Sequence, residues 1–574
     1  MALNLGNILE NGQQEEATVQ LDFNKLYNKS KFFRAVNAPR NPNADKNIKT
    51  RTDTVFRNIL VNGIRQKEIR RLKVVTIVNP NALPDVGTFG RIVGRLLTSV
   101  KQVGISFSEN ANTRLPGYMD STQVLGQNWR SMEPGLGFIL GQQPDTNWLN
   151  NASKKGLISK DSTFSDIFQQ TYNQRLSISA QIQPVKDFTI NISFSKTLNK
   201  NYSELFKDTT GTGNNFGHLS PYGGGGYDIS YTSFKTLFGK FDPNTVSATF
   251  LKFQDDRVVI SQRVGSVNKY NIYGINGAST TPDASGYYYG YGRYSTDVLI
   301  PAFIAAYSGQ DPHKVPLISE ENPNIKYNPF HGMIPRPNWK ITYSGLSKVK
   351  PLNKVFTNIT LTHGYSGTLS LDGFTSALNY EDESRYGYPS FYDTTAKSYV
   401  PYFLVPNITM QESFSPLVGI DVTMVNKVQA KFEYSKTRML SLSLSNFQLA
   451  ETRSTSYTIG AGYRKRGIKL LAGIKLPKIL NKKGGTTLDN EMNFRFDLKV
   501  VDNVSSNSIL DAGTSYATSG SREITLSPTV DYTLSSRVNV KLYFQRTRVV
   551  PYISTSVPTT NTKAGVEIRI SLAP

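Results

Sequence analysis

The chain closes on "TNTKAGVEIRISLAP", Thr560 to Pro574, and the order of residue types there governs the reading of everything before it. Val566, Ile568, Ile570 and Leu572 occupy every second position, with Glu567, Arg569 and Ser571 between them. Strand side chains alternate between two faces, so this is a strand with one apolar and one polar side. The pattern recurs upstream. In "RLSISAQI" (Arg175 to Ile182) the alternating set is Leu176, Ile178, Ala180 and Ile182; in "FTINISFS" (Phe188 to Ser195) it is Phe188, Ile190, Ile192 and Phe194. Only Gln183 to Asp187 separates the two, which predicts a hairpin. Further alternating segments lie at 18–24, 101–109, 339–346, 355–365, 419–425, 428–435, 455–465, 492–501, 524–534 and 538–544, giving about thirteen strands. Asn426 and Lys427 read as a two-residue turn between two of them.

Composition agrees with a β-rich chain. Of 574 residues 38% are hydrophobic, yet 31 are Tyr and 30 Phe, and 44 Gly with 28 Pro supply turns rather than helix interiors. No window approaches the roughly 20 apolar residues of a membrane-spanning helix, so any bilayer crossing must be by strands. The first residues, "MALNLGNILENGQQEEATVQLDF", lack a basic start, an apolar run and a small-residue cleavage site, so no signal peptide is read there.

The net charge of +22 is concentrated: from Lys25 to Lys101, 17 Lys and Arg face only four acids. These cations are not interleaved with stacking aromatics and no nucleic-acid motif accompanies them, so nucleic acid is not an expected partner. A solvated basic segment near an anionic membrane surface is the expectation.

Catalytic chemistry is not legible. The absence of Cys excludes disulfides and thiolate metal sites, and His218, His313, His331 and His363 are scattered singly, reading as loop or surface histidines. "YGGGG" (Tyr222 to Gly226) lacks the Lys-Ser/Thr of a phosphate loop and reads as a flexible loop. "GYSG" (Gly364 to Gly367) is one residue short of a nucleophile elbow. The acidic clusters at Asp255 and Asp256, Glu320 and Glu321, and Glu381 to Glu383 read as solvated charges. "GYYYGYGRY" (Gly286 to Tyr294) reads as loop material whose rings could stack on sugars. No enzyme, cofactor or metal is expected.

Connections between the strands carry a second signal. Tight or basic ones (25–100, 183–187, 347–354, 426–427, 466–490, 535–536) alternate with longer ones rich in Gly, Tyr, Asn and Pro (110–169, 198–338, 366–416, 447–454, 502–520, 549–561). Outer-membrane barrels have this asymmetry, with short periplasmic turns and long external loops. The expected fold is therefore all-β, an antiparallel up-and-down transmembrane β-barrel segment of about 13 strands. Residues 1–197 supply the first strands with the basic periplasmic connection 25–100, and 339–574 supply the C-terminal strands. The connection 198–338 is expected to be a folded insertion, outside or associated with the pore. Within it "DPNTVSATFLKFQDDRVVISQRV" starts helically at Asp242 and Pro243 and spaces Phe250, Phe253 and Val264 among charges. A second helix is expected from Ser295, a possible cap, to Gly309.

Several long blocks resemble one family. "DYTLSSRVNVKLYFQRTRVVPYISTSVPTTNTKAGVEIRISL" (Asp531 to Leu572) is similar to the C-terminus of the SprA/Sov family, the giant outer-membrane translocon of the type 9 secretion system. "SFKTLFGKFDPNTVSATFLKF" (Ser233 to Phe253), "STDVLIPAFIAAYSG" (Ser295 to Gly309) and "GFTSALNYEDES" (Gly373 to Ser384) are similar to other parts of it, in the same order. The resemblance implies a protein-conducting channel in the cell outer membrane that exports folded cargo and supports gliding motility. It implies as partners outer-membrane lipid, secreted cargo proteins, a shuttle barrel at a lateral opening and a periplasmic plug. Family members are several times longer, so the chain is expected to be the C-terminal part of a larger or split translocon whose N-terminal part is a further partner. Val566, Ile568, Ile570 and Leu572 would then form the seam strand read by the barrel-assembly machinery. A TonB-type nutrient receptor, which would carry an N-terminal plug, and a secreted β-rich adhesin are the alternatives.

Overall fold

A computed structural model describes residues 5–38, 48–78, 83, 86–318, 333–381, 388–467, 491–535, 538–553 and 555–571. The strands are β1 (Asn7–Asp22), β2 (Ile48–Val61), β3 (Ile64–Val78), β4 (Val100–Tyr118), β5 (Phe168–Val185), β6 (Phe188–Asp208), β7 (Phe216–Ser230), β8 (Asn338–Tyr343), β9 (Phe356–Ser376), β10 (Tyr392–Asp393), β11 (Ser398–Tyr399), β12 (Phe403–Leu404), β13 (Asn407–Met424), β14 (Val428–Ser443), β15 (Gln448–Arg466), β16 (Glu491–Ile509), β17 (Thr514–Ser535), β18 (Val538–Pro551) and β19 (Thr559–Ile570). Fifteen of them form one sheet in the order β1-β4-β5-β6-β7-β9-β13-β14-β15-β16-β17-β18-β19, with β8 pairing β6 and β9, and β12 pairing β9. Among the described residues no ladder joins β1 to β19. The helices are α1 (Phe23–Tyr27), α2 (Lys31–Asn37), α3 (Thr88–Leu97), α4 (Leu136–Ile139), α5 (Thr146–Lys154), α6 (Ala248–Val267), α7 (Lys269–Ile272) and α8 (Thr296–Ser308).

Two compact units divide the chain. One comprises residues 20–103 and 180–189. In it α2 and α3 pack so closely that a Cβ at Gly94 would lie 2.7 Å from a Val36 methyl. Thr98 Oγ1 bridges to the Gly94 carbonyl at 2.9 Å and to Asn37 Oδ1 at 3.3 Å. The long basic connection is not all loop, because β2 and β3 form a hairpin turning at Asn62 and Gly63, both at positive φ. Asn-Gly is the strongest short hairpin signal.

The other unit holds the rest of the sheet and the insertion. Its strands are longer than the alternating segments that announced them: β17 has 22 residues and β16 has 19. The connections expected over 447–454 and 502–520 are therefore mostly strand, leaving turns at 444–447 and 510–513. Those strand ends carry Ser, Thr and Asn on both faces, which erases the hydrophobic alternation while the backbone ladder continues. The turn after β13 has three residues, 425–427, with Lys427 left-handed at φ 68° where two residues were expected.

"YGGGG" is strand, not flexible loop. It lies in β7 between β6 and β9, and a Cβ at Gly225 would fall 1.9 Å from the Asn199 carbonyl oxygen. Glycine is there for close backbone approach. The sheet thus extends through 198–230, inside the range assigned to the insertion. Helix α6 starts at Ala248, capped by Ser247, whose Oγ accepts from the Phe250 amide at 3.1 Å; Asp242 instead holds the Asn244 amide. Helix α8 follows Ser295, whose side chain makes no cap bond, and ends at left-handed Gly309.

Candidate functional site

The lower halves of β13 to β19 carry one continuous apolar face. Across the ladders Ile420 faces Phe432, Phe432 faces Ile459, Ile459 faces Leu498 and Leu498 faces Leu526. A lower row runs Val428, Tyr463, Phe494, Val530, Leu542 and Val566. Directly paired residues share a face, so these rows form one surface. It remains open to solvent: Ile459 is 45% exposed, Leu542 47%, and Val566 and Ile568 both 61%. Isolated exposed apolar residues are ordinary, but a contiguous patch in register over seven strands is the mark of a candidate interaction surface.

Aromatic rings edge this band on both sides. Tyr434 stacks on Tyr457 above, with centroids 4.9 Å apart and planes at 13°, while Tyr463, Phe494 and Tyr532 lie below. Above the upper edge the same face turns charged with Lys436 and Arg438 on β14, Arg453 on β15, and Arg546 and Arg548 on β18. From Met492 to Val500 the band spans about 27 Å along β16 at the usual strand rise. The apolar belt of an outer-membrane barrel is about 25 Å tall with aromatic girdles at both interfaces.

The opposite face is polar. Lys431 and Glu433 on β14, Arg495 and Asp497 on β16, and Asp531 on β17 project there, with Arg495 paired to Asp531 at 3.1 Å and Lys431 to Glu433 at 2.9 Å.

Strand parity also locates the insertion. The β14 to β15 ladder runs from Val428 to Ser443 without a register shift, so Leu440 and Leu442 lie on the same face as Phe432 and Tyr434. Both leucines are fully buried, in one core with Phe250, Phe253 and Val264 of α6 and Phe303 and Tyr307 of α8. The helices therefore cover the upper part of the apolar face, while Met439 on the other side stays 46% exposed. Polar anchors fix this packing. Glu412 and Arg438, both about 1% exposed, pair at 2.5 Å. Glu412 accepts from Ser233 Oγ at 2.7 Å, Arg438 donates to Thr236 Oγ1 at 2.7 Å, and Arg453 donates to the carbonyls of Leu237 and Gly239. Arg257 on α6 grips Asp511 in the β16 to β17 turn at 2.5 and 3.1 Å.

The residues singled out in the sequence fall in two places. Val566, Ile568 and Ile570 lie on β19, whose only ladder among the described residues is to β18; Leu572 lies outside the described residues. Phe250, Phe253 and Val264 are the buried side of α6.

Several sequence readings are corrected. His218 and His363 sit in strands and are held, His218 Nδ1 2.7 Å from Glu204 and His363 Nδ1 2.7 Å from the Leu417 carbonyl. His331, Glu320 and Glu321 lie outside the described residues. Asp256 is not a solvated charge: it is 6% exposed and paired with Lys252 at 2.7 Å, and burial raises its carboxyl above the ordinary range. The tyrosines of 286–294 are not free loop rings: Tyr287 and Tyr291 are buried, Tyr289 stacks on Tyr392 at 4.3 Å and Tyr291 meets Tyr399 at 5.5 Å, while Tyr294 stays 40% exposed. Neither ion pair had a sequence signal: Glu412 faces Arg438 across the β13 to β14 ladder beyond the alternating stretches 419–425 and 428–435, and Arg257 and Asp511 lie 254 positions apart. Compared with known proteins, the sequence matches no family model and no curated protein.

Proposed function

We propose that this chain builds part of the wall of an outer-membrane, protein-conducting β-barrel, with the apolar band against lipid and the polar face lining the conduit. The observation that carries this reading is the in-register band, about 27 Å tall and edged by aromatics, opposite a face of paired charges. The insertion's place favours passage, since it covers the lipid-side face above the band rather than the polar one. Resemblance to the type 9 secretion translocon supplies the cargo class, folded proteins leaving the periplasm. It also supplies the partners: lipid, the remaining translocon strands, a shuttle barrel and a periplasmic plug. The outer edge of β19 is the seam at which further strands would add. A secreted adhesin has no use for so much open apolar surface, and its band would be covered.

The decisive experiment removes the gene and follows a type 9 cargo protein. Its accumulation in the periplasm, reversed by the restored gene, is the expected outcome. Undiminished secretion overturns the translocon reading.

A further inference from the structure

A cavity of about 770 Å³ opens beside the upper parts of β5, β6 and β7, bounded also by Gln143 to Leu149, by Ser376 to Tyr380 and by Tyr402 and Phe403. Small-molecule sites usually measure about 300–1,000 Å³, so it has the size of a ligand site. We infer that it binds a neutral carbohydrate, a short run of pyranose rings.

The walls combine rigid rings with fixed planar polar groups. Tyr202 meets Phe168 edge-on at 6.4 Å, and Tyr402 is braced by Phe403 at 4.6 Å and Tyr380 at 5.1 Å. Polar groups are equally held: Glu204 is 1% exposed and grips His218, whose Nε2 lies 3.2 Å from Asn150 Oδ1. Gln174 Nε2 donates to Tyr172 Oη at 3.0 Å, and Gln170 Nε2 to the Pro144 carbonyl at 2.7 Å. A pyranose has an apolar C–H face that stacks on aromatic rings and a rim of hydroxyls that bond to carboxylates and amides. Pre-positioned groups of these two kinds lower the ordering cost of binding.

Other ligand classes fit less well. Glu109, Asp145 and Glu204 line the cavity against one lysine, Lys200, and His218, so a phosphate or other polyanion would meet an acidic wall. An extended peptide binds by adding to a free strand edge. Here β5 and β6 are flanked on both sides; β7 pairs β9 only from Gly224 to Ser230, and along the rest of that edge Pro221 has no N–H to give and the Gly223 amide already donates to Ser376 Oγ at 2.8 Å, so an added strand would find few partners.

The test uses the full chain purified in a detergent without a sugar headgroup. Maltotetraose, cellotetraose, mannotetraose and chitotetraose are titrated by calorimetry and by saturation-transfer NMR. At least one should bind saturably with Kd between about 10 μM and 1 mM. Tyr402→Ala and Glu204→Gln should each weaken it at least about tenfold, some 1.4 kcal/mol, while Tyr457→Ala on the distant band leaves it unchanged. Leu378→Trp, at an exposed position of the cavity mouth, should block binding by bulk without removing a core contact. The inference is overturned if none of the four binds at about 10 mM. Binding that ignores all three cavity variants, or capture of an extended hexapeptide in place of every saccharide, also overturns it.

Discussion

Gly225 shows how much a single position decides. Its hydrogen occupies space that a methyl group would share with the Asn199 backbone, and backbone cannot swing aside as a side chain does. Gly225→Ala should therefore destabilise the fold by roughly 3 kcal/mol or more, measured as a lowered denaturation midpoint, whereas Gly126→Ala, with nothing within 4 Å, carries only its backbone strain. The band is testable at the same scale because the chain has no Cys, so every introduced thiol is unique. In membranes Ile568→Cys should be quenched by lipid-borne probes and shielded from a water-soluble maleimide, and neighbouring Glu567→Cys should behave oppositely. A reversed pattern would mean that the polar face meets lipid. Period-two alternation made both residues readable. The histidines show its limit: their carboxylate and carbonyl partners come from neighbouring strands, and no local pattern names them.

At the scale of elements, the insertion is held by charges that only folding brings together. Arg257 is 3% exposed, and removing its partner leaves a buried guanidinium unpaired. Asp511→Asn should cost roughly 1.5–3 kcal/mol. Burial works against the Asp511 charge, yet the Arg257 guanidinium holds that carboxyl below its ordinary range. A depressed carboxyl contributes fully above its unfolded value of about 3.9 and loses that contribution as pH falls through the folded value. The midpoint gap between parent and Asp511→Asn should thus be full at pH 7 and close below about pH 4. A gap that widens in acid would contradict the pairing. Element existence was largely legible, element length was not. The core strands follow from periodicity and the two main helices were announced by start signals, though α6 begins at Ala248 rather than at Asp242; β7 hid behind its glycines and β16 and β17 outran their apolar stretches. The β2 to β3 hairpin had its Asn62-Gly63 signal, masked by the basic composition around it.

For the whole molecule, antiparallel order places the 425–427 turn and the 510–513 turn at opposite ends of β14 to β17. With the tight-turn end in the periplasm, a protease site inserted at 425–427 should survive protease added to intact cells, while one at 510–513 is cut. Cleavage at the first and protection at the second would invert the topology. By itself the sequence determined that the chain is a sheet of up-and-down strands with one apolar and one polar face, because side-chain alternation is local and survives any arrangement of neighbours. Only the tertiary structure decided which face the insertion covers, how far the strands run beyond the apolar band, and which charges anchor the helices. Those outcomes depend on contacts between segments hundreds of positions apart, 254 for Arg257 and Asp511 and 273 for Asn244 and Ala517, whose pairing is fixed by packing and desolvation rather than by any pattern along the chain.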